Sequence, residues 1–141
     1  MKILLAVDDS PVALRVVAQV IALAGELKSA PDVHVLYVHP PIPIEFATRH
    51  VARETLDTYY RDEGEGVLKE PVARLKAAGL PVTPHIHVGQ PADVVLHQAA
   101  VLECDYLCLG RHGRSVVADL FVGSVATRVL QRATLPVLLV G

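Results

Sequence analysis

The residues best suited to chemistry lie in one stretch, Gly110-Arg111-His112-Gly113-Arg114-Ser115, and are continued by Gly123-Ser124. Glycine permits positive φ and a close approach to the backbone. Successive N–H groups in such a turn form an anion nest. A helix opening at Gly123-Ser124 offers free N–H groups and its dipole to negative charge. Ser124 adds a hydroxyl donor, and Arg111, His112 and Arg114 supply positive charge. This combination suits a phosphate. A second group, Asp8-Asp9-Ser10, has the opposite character: its acids repel phosphate, while Asp8 can accept hydrogen bonds from a ribose hydroxyl or a base amine. It contains no glycine, so it is neither a G-x-G-x-x-G dinucleotide loop nor a phosphate loop ending in G-K-S/T. Each feature also has a plainer reading. Gly110 and Gly113 make a tight turn, Gly123-Ser124 starts an ordinary helix, and Asp8, Asp9 and Ser10 cap one.

The elements that must position these residues follow from periodicity. Lys2 to Val7 is short and apolar, the pattern of a strand buried on both faces. Ser10-Pro11 reads as an N-cap with proline at the first helical position, and apolar residues from Ala13 to Leu27 repeat at helical spacing to about Lys28. Val33 to Val38 is a second strand, and His39-Pro40-Pro41-Ile42-Pro43 a stiff loop. From about Thr48 to Ala78 the pattern is helical, with a break or kink expected near Gly64, Gly66 and Pro71 and Gly79 as a C-terminal cap. Val82 to Val88 is a third strand. Pro91 opens a helix to about Leu102, with Asp93 in its first turn. Tyr106 to Leu109 is a fourth strand, Ser124 to Arg132 a helix, and Pro136 to Val140 a last strand. Strand and helix alternate, which predicts an α/β fold: a parallel, doubly wound sheet with helices on both faces. In such sheets ligands bind beyond the carboxyl ends of the strands, where strand order reverses. If the first and fourth strands are neighbours, the two chemical stretches face each other across that crevice.

Bulk properties agree with one domain over residues 1–141. A chain of this length buries roughly 70% of its unfolded surface, enough for a core without staples. Hydrophobic residues make up 52% of the chain, with no tryptophan, which suits aliphatic strands against helices. Apolar runs are too short for a membrane span, and the N-terminal one is too short for a signal peptide. The net charge of −2 and the lack of a basic stripe argue against nucleic acid as a partner. Cys104 and Cys108 fall in one strand-like run, on one face but too far apart for a disulfide. They read as buried thiols in a reducing cytoplasm, and their spacing matches no zinc pattern. His85 and His87 share a strand face far from the crevice and read as structural rather than as a metal pair.

Gly110-x2-Gly113-x9-Gly123-Ser124 resembles the nucleotide-binding pattern of the universal stress protein family, G-x2-G-x9-G followed by Ser or Thr. The likeness covers essentially the whole chain. Ile3-Leu4-Leu5-Ala6-Val7-Asp8-Asp9-Ser10 is similar to the family's first strand and its aspartate, Val35-Leu36-Tyr37-Val38 to its second strand. Gly89-Gln90-Pro91-Ala92 and Leu135-Pro136-Val137-Leu138-Leu139-Val140 are similar as well. The resemblance implies a five-stranded parallel sheet in the order 3-2-1-4-5 and binding of ATP, with Mg2+ held through the phosphates. It implies that Asp8 and Val38 meet the adenosine, with Ala6 and Val7 lining it. It places ribose and phosphates on Gly110, Arg111, Gly113, Gly123, Ser124 and Val125, with Leu109 beside the sugar. Arg111 stands where many members carry a small hydroxyl residue. The resemblance further implies a homodimer through the last strand. On this basis the chain is expected to be a cytoplasmic regulatory module of the stress response, acting through nucleotide-linked dimer or partner state. The alternatives are a slow ATPase or phosphotransferase, for which no general base aimed at a γ-phosphate is evident, and an interaction module without nucleotide.

Overall fold

The computed structural model describes residues 1–43, 52–112 and 122–141. Within them the elements run β1 (Lys2–Val7), α1 (Pro11–Gly25), β2 (Asp32–His39), α2 (Arg53–Ala77), β3 (Val82–Val88), α3 (Pro91–Val101), β4 (Tyr106–Gly110), α4 (Ser124–Arg132) and β5 (Val137–Val140). The strands form one parallel sheet in the order β3-β2-β1-β4-β5. Chain order and spatial order part company at β1, which lies between β2 and β4. Leu5 pairs with Val35 on one side and Cys108 on the other.

Alternation along the strands divides the core into two layers. Ile3, Leu5, Val7, Val33, Val35 and Cys108 face α1 and α2, where they meet Val16, Val17, Val20, Leu68 and Leu75. Leu4, Leu36, Val38, Leu107 and Leu109 face α3 and α4, where they meet Val95, Ala99, Ala126 and Val129. Most of these are fully buried aliphatic side chains. Truncating one, as in Leu36→Ala, costs roughly 2–5 kcal/mol. Burial on both faces is why β1 and β2 read as unbroken apolar runs.

Local chemistry fixes the ends. Ser10 holds the cap position of α1 in extended conformation with Pro11 behind it, yet its hydroxyl makes no capping bond. Its carbonyl accepts from the Ala13 N–H instead. Helix α1 ends at Gly25, short of Lys28, because Glu26 and Leu27 donate to carbonyls three residues back and tighten the last turn. Gly79 lies at φ +79°, the left-handed conformation a helix end favours.

Two expectations are corrected. Helix α2 runs unbroken through Gly64, Gly66 and Pro71. Gly64 lies where a Cβ would stand 2.7–2.9 Å from the Ile86 side chain, so it marks the close approach of α2 to β3 and not a break. Cys104 and Cys108 do not share a strand: Cys104 lies in the turn after α3, and Cys108 alone is in β4. Both are free thiols. The residues before Ala52 assigned to this helix from sequence lie outside the described residues.

Candidate functional site

A cavity of about 340 Å³ opens at the carboxyl ends of β1 and β4, at the point where strand order reverses. Its floor is built by the last residues of three adjacent strands: Ala6 and Val7 of β1, Leu36 to Val38 of β2, and Leu109 and Gly110 of β4. Asp8, Ser10, Val12 and Ala13 form one wall, Gly123 to Ala126 at the start of α4 another. Pro40, Pro91, Arg111 and His112 complete the rim.

The structure therefore brings Ala6, Val7, Asp8, Val38 and Leu109 to one cavity with Gly110, Arg111, Gly123, Ser124 and Val125. Gly113, expected beside them, lies outside the described residues, as do Arg114 and Ser115. Ser10, Tyr37, Pro40 and Pro91 also line the cavity, though not expected among its residues. Pro40 follows the end of β2, and Pro91 opens the helix that follows β3. The carboxyl-end rule, applied to those strands as well, would have found them.

The electrostatics are divided. Asp8 sits at one end, its Oδ1 accepting the Ser10 N–H at 2.9 Å. That bond closes a local turn ahead of α1, whose cap position carries no side-chain capping bond. At the other end the Gly123 N–H is taken by the Arg111 carbonyl at 2.6 Å, so it is not a free anion donor. Ser124, Val125 and Ala126 follow it as the first residues of α4, and a helix start cannot satisfy their N–H groups internally. They line the cavity, with the dipole of α4 behind them.

Three buried polar atoms on the lining residues have no hydrogen-bond partner among the described residues: Ser10 Oγ, Arg111 Nε and His112 Nε2. Buried polar groups are nearly always satisfied, so these three atoms, each almost without accessible surface of its own, mark unmet hydrogen bonding in the residues around the cavity. Among the described residues no group of three or more His, Cys, Asp or Glu side chains is arranged to hold a metal ion.

Gly110 has a packing role of its own. A Cβ there would stand 2.6 Å from Cγ1 of Val12 and 3.1 Å from the His112 carbonyl oxygen. The glycine lets α1 close onto the end of β4 and so shapes the cavity wall.

The family model for the universal stress protein family matches residues 1–141. The chain belongs to the universal stress protein family. A universal stress protein of Methanocaldococcus jannaschii is 27% identical over 139 residues, covering 99% of this chain and 81% of its own. A solved protein described as hypothetical protein MJ0577, whose biochemical function was assigned from its structure, superposes with a TM-score of 0.85. It is 25% identical, with 99% of this chain and 94% of that one covered. A universal stress protein solved in complex with cAMP is also 25% identical. Its TM-score is 0.68, with 100% and 96% of the two chains covered. The sheet order 3-2-1-4-5 is thus the universal stress protein fold. No helix among the described residues is long and apolar enough to cross a membrane.

Proposed function

We propose that this universal stress protein binds an adenine nucleotide, ATP, in the cavity between β1 and β4. The observation that carries this reading is the position of the cavity, beyond the carboxyl ends of β1 and β4 and walled by the start of α4, whose first N–H groups the helix cannot satisfy. The spacing Gly110-x2-Gly113-x9-Gly123-Ser124 supports it, as does the related protein solved with cAMP.

In this reading the Asp8 carboxylate accepts hydrogen bonds from ribose or adenine, between the apolar faces of Ala6, Val7 and Val38. Leu109 flanks the sugar. The N–H groups of Ser124 and Val125, the Ser124 hydroxyl and the Arg111 guanidinium hold phosphate oxygens, and Gly110, Gly113 and Gly123 admit them to the backbone. Mg2+ is held through the phosphates, where it neutralises their charge. Residues 1–141 act as one nucleotide-binding unit. It works as a cytoplasmic regulator whose homodimer, paired through β5, or whose protein partner responds to nucleotide. A ligand that binds one such state better shifts the population toward it.

Gly123→Val tests the site. Gly123 lies at φ −61° and ψ 163°, a conformation valine adopts freely, so the protein folds. The added side chain intrudes at the start of α4, and ATP affinity falls by roughly tenfold or more, about 1.4 kcal/mol or greater. Unchanged affinity in the folded variant overturns the assignment.

A further inference from the structure

A second groove, of about 1000 Å³, runs between α2 and the edge strand β3. It shares no lining residue with the cavity between β1 and β4. A short turn joins the end of α2 to the start of β3, so the helix and the strand run in opposite directions. Gly64 of the helix meets Ile86 of the strand. Leu68, Val72 and Ile86 give the groove an apolar floor. Its charged residues are Arg61, Lys69 and Lys76 against Asp57 and Glu65, an excess of positive charge in a chain whose net charge is −2. The excess lies toward the end of α2, where Lys69 and Lys76 stand and no acidic residue lines the groove beyond Glu65. Both lysines are exposed, and neither forms an ion pair among the described residues.

The backbone of β3 shows what is left unpaired beside that floor. The Val33 N–H donates to the Pro81 carbonyl at 2.9 Å, and the Gly89 N–H to the His39 carbonyl at 3.0 Å. A strand residue points its N–H and C=O to one side, and successive residues alternate. In the register that pairs Leu36 with His85, residues 83, 85 and 87 therefore direct their backbone groups to β2, and Val82, Pro84, Ile86 and Val88 turn theirs outward. Pro84 has no N–H to offer there, whereas Ile86 and Val88 do. No strand pairs with that side among the described residues, and Val88 is 42% exposed. Outward N–H and C=O groups beside an apolar floor are the arrangement to which an extended segment adds as a further strand. A second copy of this chain fits poorly. Two β3 edges meeting about a two-fold axis would each bring Pro84 near the middle of a seven-residue strand, and both would lack that bond.

We propose that this edge docks an extended acidic segment of a partner protein, which pairs with the backbone of Ile86 and Val88 and sets its carboxylates against Lys69 and Lys76. Apolar side chains of the segment on the α2 face cover Leu68, Val72 and Ile86. The backbone pairing supplies affinity with little regard to sequence, and the two lysines select the charge. Pro84 fixes how far the pairing extends along the strand, since the ladder loses its donor there. The groove acts independently of whatever the cavity between β1 and β4 holds.

Fluorescence anisotropy on the full chain tests this with a labelled, end-blocked peptide of alternating valine and threonine that ends in a run of glutamates, beside a counterpart that ends in lysines. The glutamate peptide is expected to bind with a dissociation constant below about 1 mM and to weaken as salt is added. The lysine counterpart binds about tenfold more weakly or less. Lys69→Glu combined with Lys76→Glu reverses that order; both side chains are exposed, so the variant folds. Val88→Pro removes an outward N–H, as Pro84 already does in the same strand, and weakens the glutamate peptide about five-fold. The charge reversal serves where Val88→Pro does not fold. In amide exchange followed by NMR, Ile86 and Val88 exchange faster than His85 and His87 in the free protein, and slow when the glutamate peptide is bound. No saturable binding, equal affinity for the two peptides, or binding that leaves the Ile86 and Val88 amides unprotected overturns the proposal. So does a self-association of the chain that Val88→Pro abolishes, which would assign the edge to a second copy.

Discussion

Gly110 and Val12 meet where β4 ends against the first turn of α1, so closely that a Cβ on Gly110 would stand 2.6 Å from Cγ1 of Val12. A glycine that reads from sequence as a phosphate residue therefore also serves packing. Gly110→Ala is expected to cost roughly 1–3 kcal/mol by overpacking, read as a lower urea midpoint. Adding Val12→Ala relieves part of that clash, so the double variant loses less than the sum of the single losses. Strict additivity would show that the two residues do not share the contact.

Across β2 and β3, His34 Nδ1 lies 2.9 Å from His85 Nε2, with the Asp32 carboxylate 3.5 Å from His34 Nε2 on the far side. Burial holds His85 below the ordinary histidine range, and nearby His34 and His87 lower it further. The unfolded chain thus takes up a proton on residue 85 near pH 6.5, about the unperturbed value, while the folded chain takes it up only at lower pH. The contribution is fully present above that pH and is lost as pH falls toward the folded value. Urea midpoints measured from about pH 8 to about pH 5 should decline in acid less steeply for His85→Gln than for the wild type. Equal slopes would show that His85 does not titrate in this way.

Cys108 is fully buried in β4 against α1, and burial pushes its thiol up to about 11. Burial, the largest influence on Cys104, raises that thiol as well, although it is only partly buried. The thiolate is the reactive form. In native protein near pH 8, an alkylating reagent should modify Cys104 slowly and Cys108 only after unfolding. Mass spectrometry distinguishes the two sites, and rapid native modification of Cys108 would contradict its placement.

Much of the fold was legible because its signals are local. Apolar runs such as Ile3-Leu4-Leu5 and Val35-Leu36-Tyr37-Val38 mark strands buried on both faces, and Pro11 and Pro91 stand at the first positions of α1 and α3. Strand order came from the family resemblance, since periodicity does not say which strands are neighbours. The errors lie where tertiary contacts override local rules. Gly64 looks like a helix breaker until Ile86 is seen against it, and Pro71 is carried within α2 by the packing of Leu68 and Leu75 on the sheet. At the cavity, Asp8 and Gly123 were visible as residue types. That the Gly123 N–H is already taken by the Arg111 carbonyl is a relation between distant loops that no spacing reveals. The His34–His85 contact joins residues from separate strands and was equally hidden.

The most direct test of the account is titration calorimetry of nucleotide-stripped protein with ATP and Mg2+, preceded by release and identification of any ligand carried through purification. An adenine nucleotide in the released material, or saturable ATP binding with a dissociation constant on the order of micromolar, is expected. A folded protein that binds neither ATP nor AMP would contradict it. Gly110, Gly113 and Gly123 would then serve the fold alone.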